Sequence, residues 1–249
     1  MSLDFLMLAL VGFCAQMIDG ALGMAFGVIS TSAMLSLGLP PAHASAIAHT
    51  AEIFTTAASG TSHVYFRNVD WRLVIRLGIA GVIGAVIGAW VLSNIDGNLA
   101  RPFVAAYLFI IGVLILIKSV RRAPERDPDF RISLPLGLVG GFLDASGGGG
   151  WGPVVTSTLI GSGQAPRTVV GSVNATEFFV AAAAAATFFV ELGAAPIYEL
   201  VALVLGGIVA APFGGWAVTR IRPRLLMTLV GIVVIALAAW QLARFFSLV

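Results

Sequence analysis

Charge is scarce in this chain. Acidic and basic residues together make up 10% of the 249 positions, while 59% are hydrophobic. A soluble domain carries roughly a quarter of its residues as charges, so this composition, with a mean hydropathy of +1.00, belongs to a polytopic membrane protein in a lipid bilayer. Cysteine is nearly missing: Cys14 alone excludes an internal disulfide. No Lys or Arg precedes Arg67. The start therefore lacks the basic region of a signal peptide, and residues 3–36 read as retained structure. His43, His49 and His63 are spaced in no known zinc pattern, and no phosphate loop or nucleophile elbow is present. No metal, cofactor or enzymatic centre is expected. The formal charge of +2 is small and sits in loops, where topology explains it better than nucleic acid does.

Long weakly charged stretches run at 3–36, 43–62, 72–93, 99–118, 132–161, 168–190, 197–219 and 225–248. Six are close to the ~20 residues that a helix needs to cross a bilayer. The other two are longer and broken by glycine. As one helix, 3–36 would be ~50 Å long, too long for the hydrocarbon core. It contains Asp19-Gly20-Ala21-Leu22-Gly23, and 132–161 contains Asp144-Ala145-Ser146 followed by Gly147, Gly148, Gly149 and Gly150. Each reads as two short helices joined by an unwound tip. Irregular backbone at that depth survives only inside protein or along a polar cavity.

Two pairs of acids lie deep in these stretches, Asp19 with Glu52 and Asp144 with Glu177, and the second pair follows the first at an offset of 125 residues. Gly12/Gly137, Gly23/Gly148, Gly27/Gly152, Thr31/Thr156, Ser32/Ser157, Gly38/Gly163 and Pro41/Pro166 keep the same offset, and Gly88/Gly214 and Trp90/Trp216 follow at 126. Glycine coincidences alone would be weak evidence, but matched acids in hydrocarbon are expensive and mark function.

The arginines orient the two copies. If all eight stretches cross once, basic residues divide nine against five between the two sides. If 3–36 and 132–161 each enter and return on one side, they divide twelve against two, with only Arg101 and Arg244 in the minority. The positive-inside rule selects the second arrangement. The expected fold is all-α: two inverted repeats, each a broken, re-entrant hairpin plus three transmembrane helices. Residues 1–120 form the first repeat, 121–131 a basic cytoplasmic linker and 132–249 the second repeat, with both termini outside.

The unwound tips would expose backbone N–H groups that can bind an anion without a basic side chain. Gly147 to Gly150 would let it approach closely, and Thr31, Ser32, Thr156 and Ser157 could add hydroxyl donors. Alternatively these glycines serve only close helix packing, as expected for Gly84, Gly88, Gly206 and Gly207. His49 with Glu52, and Asn174 with Glu177, share helix faces at i,i+3 spacing, with Thr50, Ser172 and Thr176 nearby. They could donate to substrate or form a buried network. With no Lys or Arg at that depth, ionised acids would repel an anion, and burial favours the neutral form. Asp19, Glu52, Asp144 and Glu177 would then be proton carriers assisted by His49, or permanently protonated struts that gate the tips.

The chain resembles the sulfite exporter TauE/SafE family of membrane permeases. The resemblance rests on Gly147-Gly148-Gly149-Gly150-Trp151-Gly152-Pro153, Gly38-Leu39-Pro40-Pro41, Arg67-Asn68-Val69-Asp70-Trp71-Arg72 and the helix carrying Gly81, Gly84 and Gly88. It differs in the first hairpin, where Ala21-Leu22-Gly23-Met24-Ala25-Phe26-Gly27 replaces a glycine cluster. The resemblance implies a permease of the bacterial inner membrane for sulfite, sulfonates or related small anions. The expectation is a proton-linked secondary transporter; a gated anion or proton channel is the alternative. The oligomeric state stays open, a homodimer being one option.

Overall fold

The computed structural model describes residues 3–120, 130–220 and 223–246. Most of the basic linker expected at 121–131 lies outside these residues. Ten α-helices follow one another: α1 (Leu3–Leu22), α2 (Phe26–Ser36), α3 (Pro41–Tyr65), α4 (Trp71–Ser93), α5 (Gly97–Val120), α6 (Ser133–Gly147), α7 (Ser157–Gly161), α8 (Pro166–Leu192), α9 (Ile197–Arg220) and α10 (Pro223–Phe245). A π-helical turn, Trp151–Thr156, leads into α7, and a 3-10 turn, Phe130–Ile132, precedes α6. There is no strand among the described residues. Five helices are long and apolar enough to cross a membrane.

Local chemistry sets these boundaries. Pro41 and Pro166 occupy the first helical positions of α3 and α8, where the missing N–H costs nothing. Asp70 caps α4 by accepting from the N–H groups of Arg72 (2.9 Å) and Leu73 (3.3 Å), the usual N-cap exchange. The hairpins break four residues later in the chain than the acids. Asp19 and Asp144 sit in the last turns of α1 and α6, and the non-helical links are Gly23–Ala25 and Gly148–Gly150. The expected break across 19–23 is thus shifted, because the helix runs on until Gly23 and Gly148 turn left-handed at φ +64° and +72°.

The second half repeats the first in detail. All five helix ends, and the starts of α3, α4 and α5, recur at offsets of 125 to 127 residues. Packing is reciprocal: α1 lies on α9 as α6 lies on α4, while α3 meets α8 and α5 meets α10. Small residues let the helices approach closely. Gly84 and Gly88 pack against the backbone of Leu138 and Phe142, and Gly206 against that of Ala9 and Phe13. Phe26 and Trp151, which open the two return segments, are fully buried equivalents. Outside, Ile75, Ile79, Ile83 and Trp90 on α4 are more than half exposed, as a lipid-facing stripe requires.

One residue strains this geometry. Ala25 holds φ 107° and ψ −10° in the first tip, a region that costs an L-residue about 1–2 kcal/mol. Ala25→Gly is expected to raise stability by about 1 kcal/mol, read as a higher thermal unfolding midpoint in detergent. An unchanged or lower midpoint would refute the strain.

Candidate functional site

The two hairpin tips touch at the centre of the molecule. A Cβ on Gly149 would collide with the backbone of Gly27 and Val28, and one on Gly152 with Met24. Thr156 Oγ1 donates to the Gly23 carbonyl at 2.8 Å, tying the second hairpin to the first.

All four deep acids converge there. Asp19, Glu52, Asp144 and Glu177 are each at most 4% exposed, with Glu52 Oε1 against Gly27 of the first hairpin and an oxygen of Glu52 within 4.8 Å of one of Asp144. His49 is fully buried beside them, whereas no lysine or arginine is buried among the described residues. Two carboxylates about 5 Å apart repel by ~3 kcal/mol at an effective dielectric constant of about 20. Carboxyl groups packed this closely favour protons, or another cation, among them. Both oxygens of Asp19 and of Glu52, and Oε2 of Glu177, have no hydrogen-bond partner among the described residues.

Asp144 organises the second tip. Its Oδ1 accepts from the N–H of Gly150 (2.7 Å) and of Trp151 (2.9 Å), and its backbone carbonyl accepts from Gly149 N at 2.9 Å. Its Oδ2 lies 3.2 Å from His49 Nε2. The protonation of that contact follows from the other side of the ring. His49 Nδ1 is 2.8 Å from the Ser45 carbonyl, which can only accept, so Nδ1 carries hydrogen. Ser45 Oγ donates elsewhere, to the Ala145 carbonyl at 2.9 Å. Nε2 and Oδ2 must then share one further proton, since a bare lone pair facing a carboxylate would repel it. One ligand atom from each of His49, Glu52 and Asp144 also lies within 4.8 Å of the other two, a spacing compatible with a small cation held in common. The histidine spacing along the chain does not reveal this group, because Asp144 comes from the other half.

The comparisons with known proteins agree with this architecture. The family profile described as "Sulfite exporter TauE/SafE" matches residues 8–240. The chain belongs to the sulfite exporter TauE/SafE family. A relative described as "Probable membrane transporter protein YtnM", from Bacillus subtilis (strain 168), is 44% identical over 232 residues, covering 90% of this chain and 77% of that protein. No solved structure matches. The TauE/SafE chain is thus a multi-pass integral membrane protein and a membrane transporter.

Within this TauE/SafE chain the expected site residues divide. Gly147 to Gly150, His49 and Thr31 gather at the second tip, while the Thr156 hydroxyl reaches the first through the Gly23 carbonyl. Asn174 lies at the first, beside Gly23, where it accepts from Ser59 Oγ at 2.8 Å. Ser157 is further along the return segment, bonded to Lys118 Nζ and to the Pro153 carbonyl. The Thr31 and Ser32 hydroxyls are unpartnered. Ser45, which orients His49, and Tyr107, whose hydroxyl abuts Gly150, complete the second tip. Ser45 is signalled only by its i−4 position on the His49 face of α3, and Tyr107 by nothing in the local pattern.

Proposed function

We propose that this chain is a proton-linked secondary transporter of small sulfur-containing anions, such as sulfite or short organosulfonates, in the bacterial cytoplasmic membrane. The observation that carries the reading is the buried, proton-sharing cluster where the two tips meet, in a chain of this family. In the closed state the tip amides are held by Asp144 in place of a substrate. A hydrogen bond to a charged acceptor is about twice as strong as one to a neutral acceptor. A proton on Asp144 therefore loosens its hold on Gly150 and Trp151 and frees their N–H groups for an arriving anion, so that proton and anion move together. Thr31 and His49 supply donors around them, Thr156 and Asn174 supply donors at the first tip, and Ser157 lies further along the return segment. Asp19, Glu52 and Glu177 pass protons or brace the gate.

Three contacts support two inverted repeats, 1–120 and 132–249, with both termini outside. Arg167 Nε donates to Asn68 Oδ1 at 2.5 Å, Asn94 Nδ2 to Glu191 Oε2 at 3.2 Å, and Arg101 and Arg244 line one pocket. A chain that crossed once per apolar stretch would put each of these pairs on opposite faces. Re-entrant hairpins put each on one face, and alternating access follows from rocking one half against the other.

Uptake of labelled sulfite into proteoliposomes under imposed pH gradients tests the reading. Wild type should show saturable flux that follows the gradient, whereas a channel would not saturate. Glu177→Gln should lose at least about tenfold of the gradient-driven rate, ~1.4 kcal/mol. No flux of sulfite or of a short sulfonate under any gradient would overturn it.

A further inference from the structure

Arg101 and Arg244 are the two basic residues that a positive-inside count leaves on the outer face, and they come together. Arg101 starts α5, Arg244 ends α10, and both line a pocket of about 320 Å³ with Ser36, Asn98, Trp240 and Gln241. None of the described residues lining it is acidic. One Arg101 Nη donates to the carbonyls of Gly38 (2.8 Å) and Leu39 (3.1 Å), which fixes the guanidinium, while its buried Nε has no partner among the described residues. Gln241 is 6% exposed, with Nε2 3.4 Å from the Ser32 carbonyl and Oε1 unpartnered. Both guanidinium groups line one pocket whose described lining holds no carboxylate, so an anion entering it would meet two cations and no competing acid.

The pocket has a counterpart. Lys118 is the equivalent of Arg244 at offset 126, and Ser157 of Ser32 at 125. Lys118 Nζ bonds Ser157 Oγ and lies 3.4 Å from the Pro153 carbonyl. Each return segment is therefore met by one cation from the last turn of α5 or α10. A cation there also suits the helix dipole, but the dipole does not call for Arg101, which sits at the start of its helix.

We propose that the Arg101–Arg244 pocket is an anion-capture site at the outer mouth of the transporter, that it takes a small oxyanion or sulfonate, and that Lys118 with Ser157 forms its pseudo-symmetric counterpart at the cytoplasmic mouth. The inference rests on the transport reading above for its ligand class. It places recognition by charge away from the centre, about 15 Å of half-helix past the first tip at Ser36 and about 9 Å past the second at Ser157, and leaves the acidic centre to protons.

Sided kinetics test it. Arg244→Gln is the primary variant, because Arg244 is exposed and Arg101 also ties the turn after α2. Half-saturating sulfite measured on right-side-out vesicles should rise about tenfold, the worth of one charge-assisted hydrogen bond. On inverted vesicles it should stay unchanged. Lys118→Gln should reverse the pattern, and Arg244→Lys should recover most of the loss. Equal shifts on both faces, or none, would overturn the proposal. If wild type moves no sulfite at all, the transport reading falls, and equilibrium binding of labelled sulfite to the purified protein decides the pocket separately. Binding lost in Arg244→Gln but kept in Asp144→Asn supports it; binding unchanged in Arg244→Gln, or absent in wild type, refutes it.

Discussion

Replacing Asp144 by Asn is expected to leave the fold nearly intact and to remove coupling to the proton gradient. The side-chain oxygen of Asn can still accept from Gly150 and Trp151, as Oδ1 of Asp144 does. The amide nitrogen would take the place of Oδ2 and donate to His49 Nε2, whose lone pair is free once Nδ1 is committed to the Ser45 carbonyl. Every hydrogen bond therefore survives in neutral form, at a cost of about 1 kcal/mol. What disappears is the shared proton between Nε2 and Oδ2, together with the one acceptor that changes strength on protonation. Sulfite uptake driven by a pH gradient should fall at least tenfold, ~1.4 kcal/mol, while thermal stability shifts little. Asp144→Ala separates the two roles, because it orphans two buried N–H groups at ~1–3 kcal/mol each and should lower the unfolding midpoint clearly. If Asp144→Asn keeps gradient-driven uptake, Asp144 is a structural cap and the exchange mechanism is wrong.

The helices and the hairpins are legible in the sequence for a simple reason: apolar runs of membrane length are interrupted at Gly23 and at Gly148–Gly150, and Pro41 and Pro166 restart them. The deep acids stand out because acids in hydrocarbon are rare, and all four are buried in the structure. Less is legible at the site itself. His49 and Asp144 are 95 residues apart, and only the docking of α3 against the second hairpin brings them to 3.2 Å. The sequence therefore suggests open tip amides awaiting an anion, where the structure has Asp144 already bound to two of them. A side chain six residues upstream can fold back onto such amides, and no periodicity signals that it does. Arg101 and Arg244 are likewise visible only as two exceptions to a charge count until the fold joins them.

The tip-to-tip contact should be the least tolerant feature of the molecule, and Gly149→Ala should break it. Gly149 has φ +135°, where a Cβ is strained, and that Cβ would fall on the backbone of Gly27 and Val28. Backbone cannot rotate aside as a flexible side chain would. Strain of about 1–3 kcal/mol and overpacking of about 1–3 kcal/mol add at one point. Roughly 2–6 kcal/mol is a large share of the 5–15 kcal/mol that holds a typical folded protein together. The expected result is a collapse in the monodisperse fraction recovered by size-exclusion chromatography, or a folded protein whose tips no longer meet and which carries no flux. Gly161→Ala is the control. It ends α7 with open space around its Cβ, so substitution there should be neutral or stabilising by about 0.5–1 kcal/mol. The contrast matters more than either value alone. Both changes add one methyl group to a glycine of the same hairpin, and they differ in backbone strain, since only Gly149 has positive φ, and in whether the other half of the molecule is there to meet the methyl. Equal behaviour of the two variants would mean that the halves do not close on each other through their tips, and an alternating-access centre would have to be sought elsewhere.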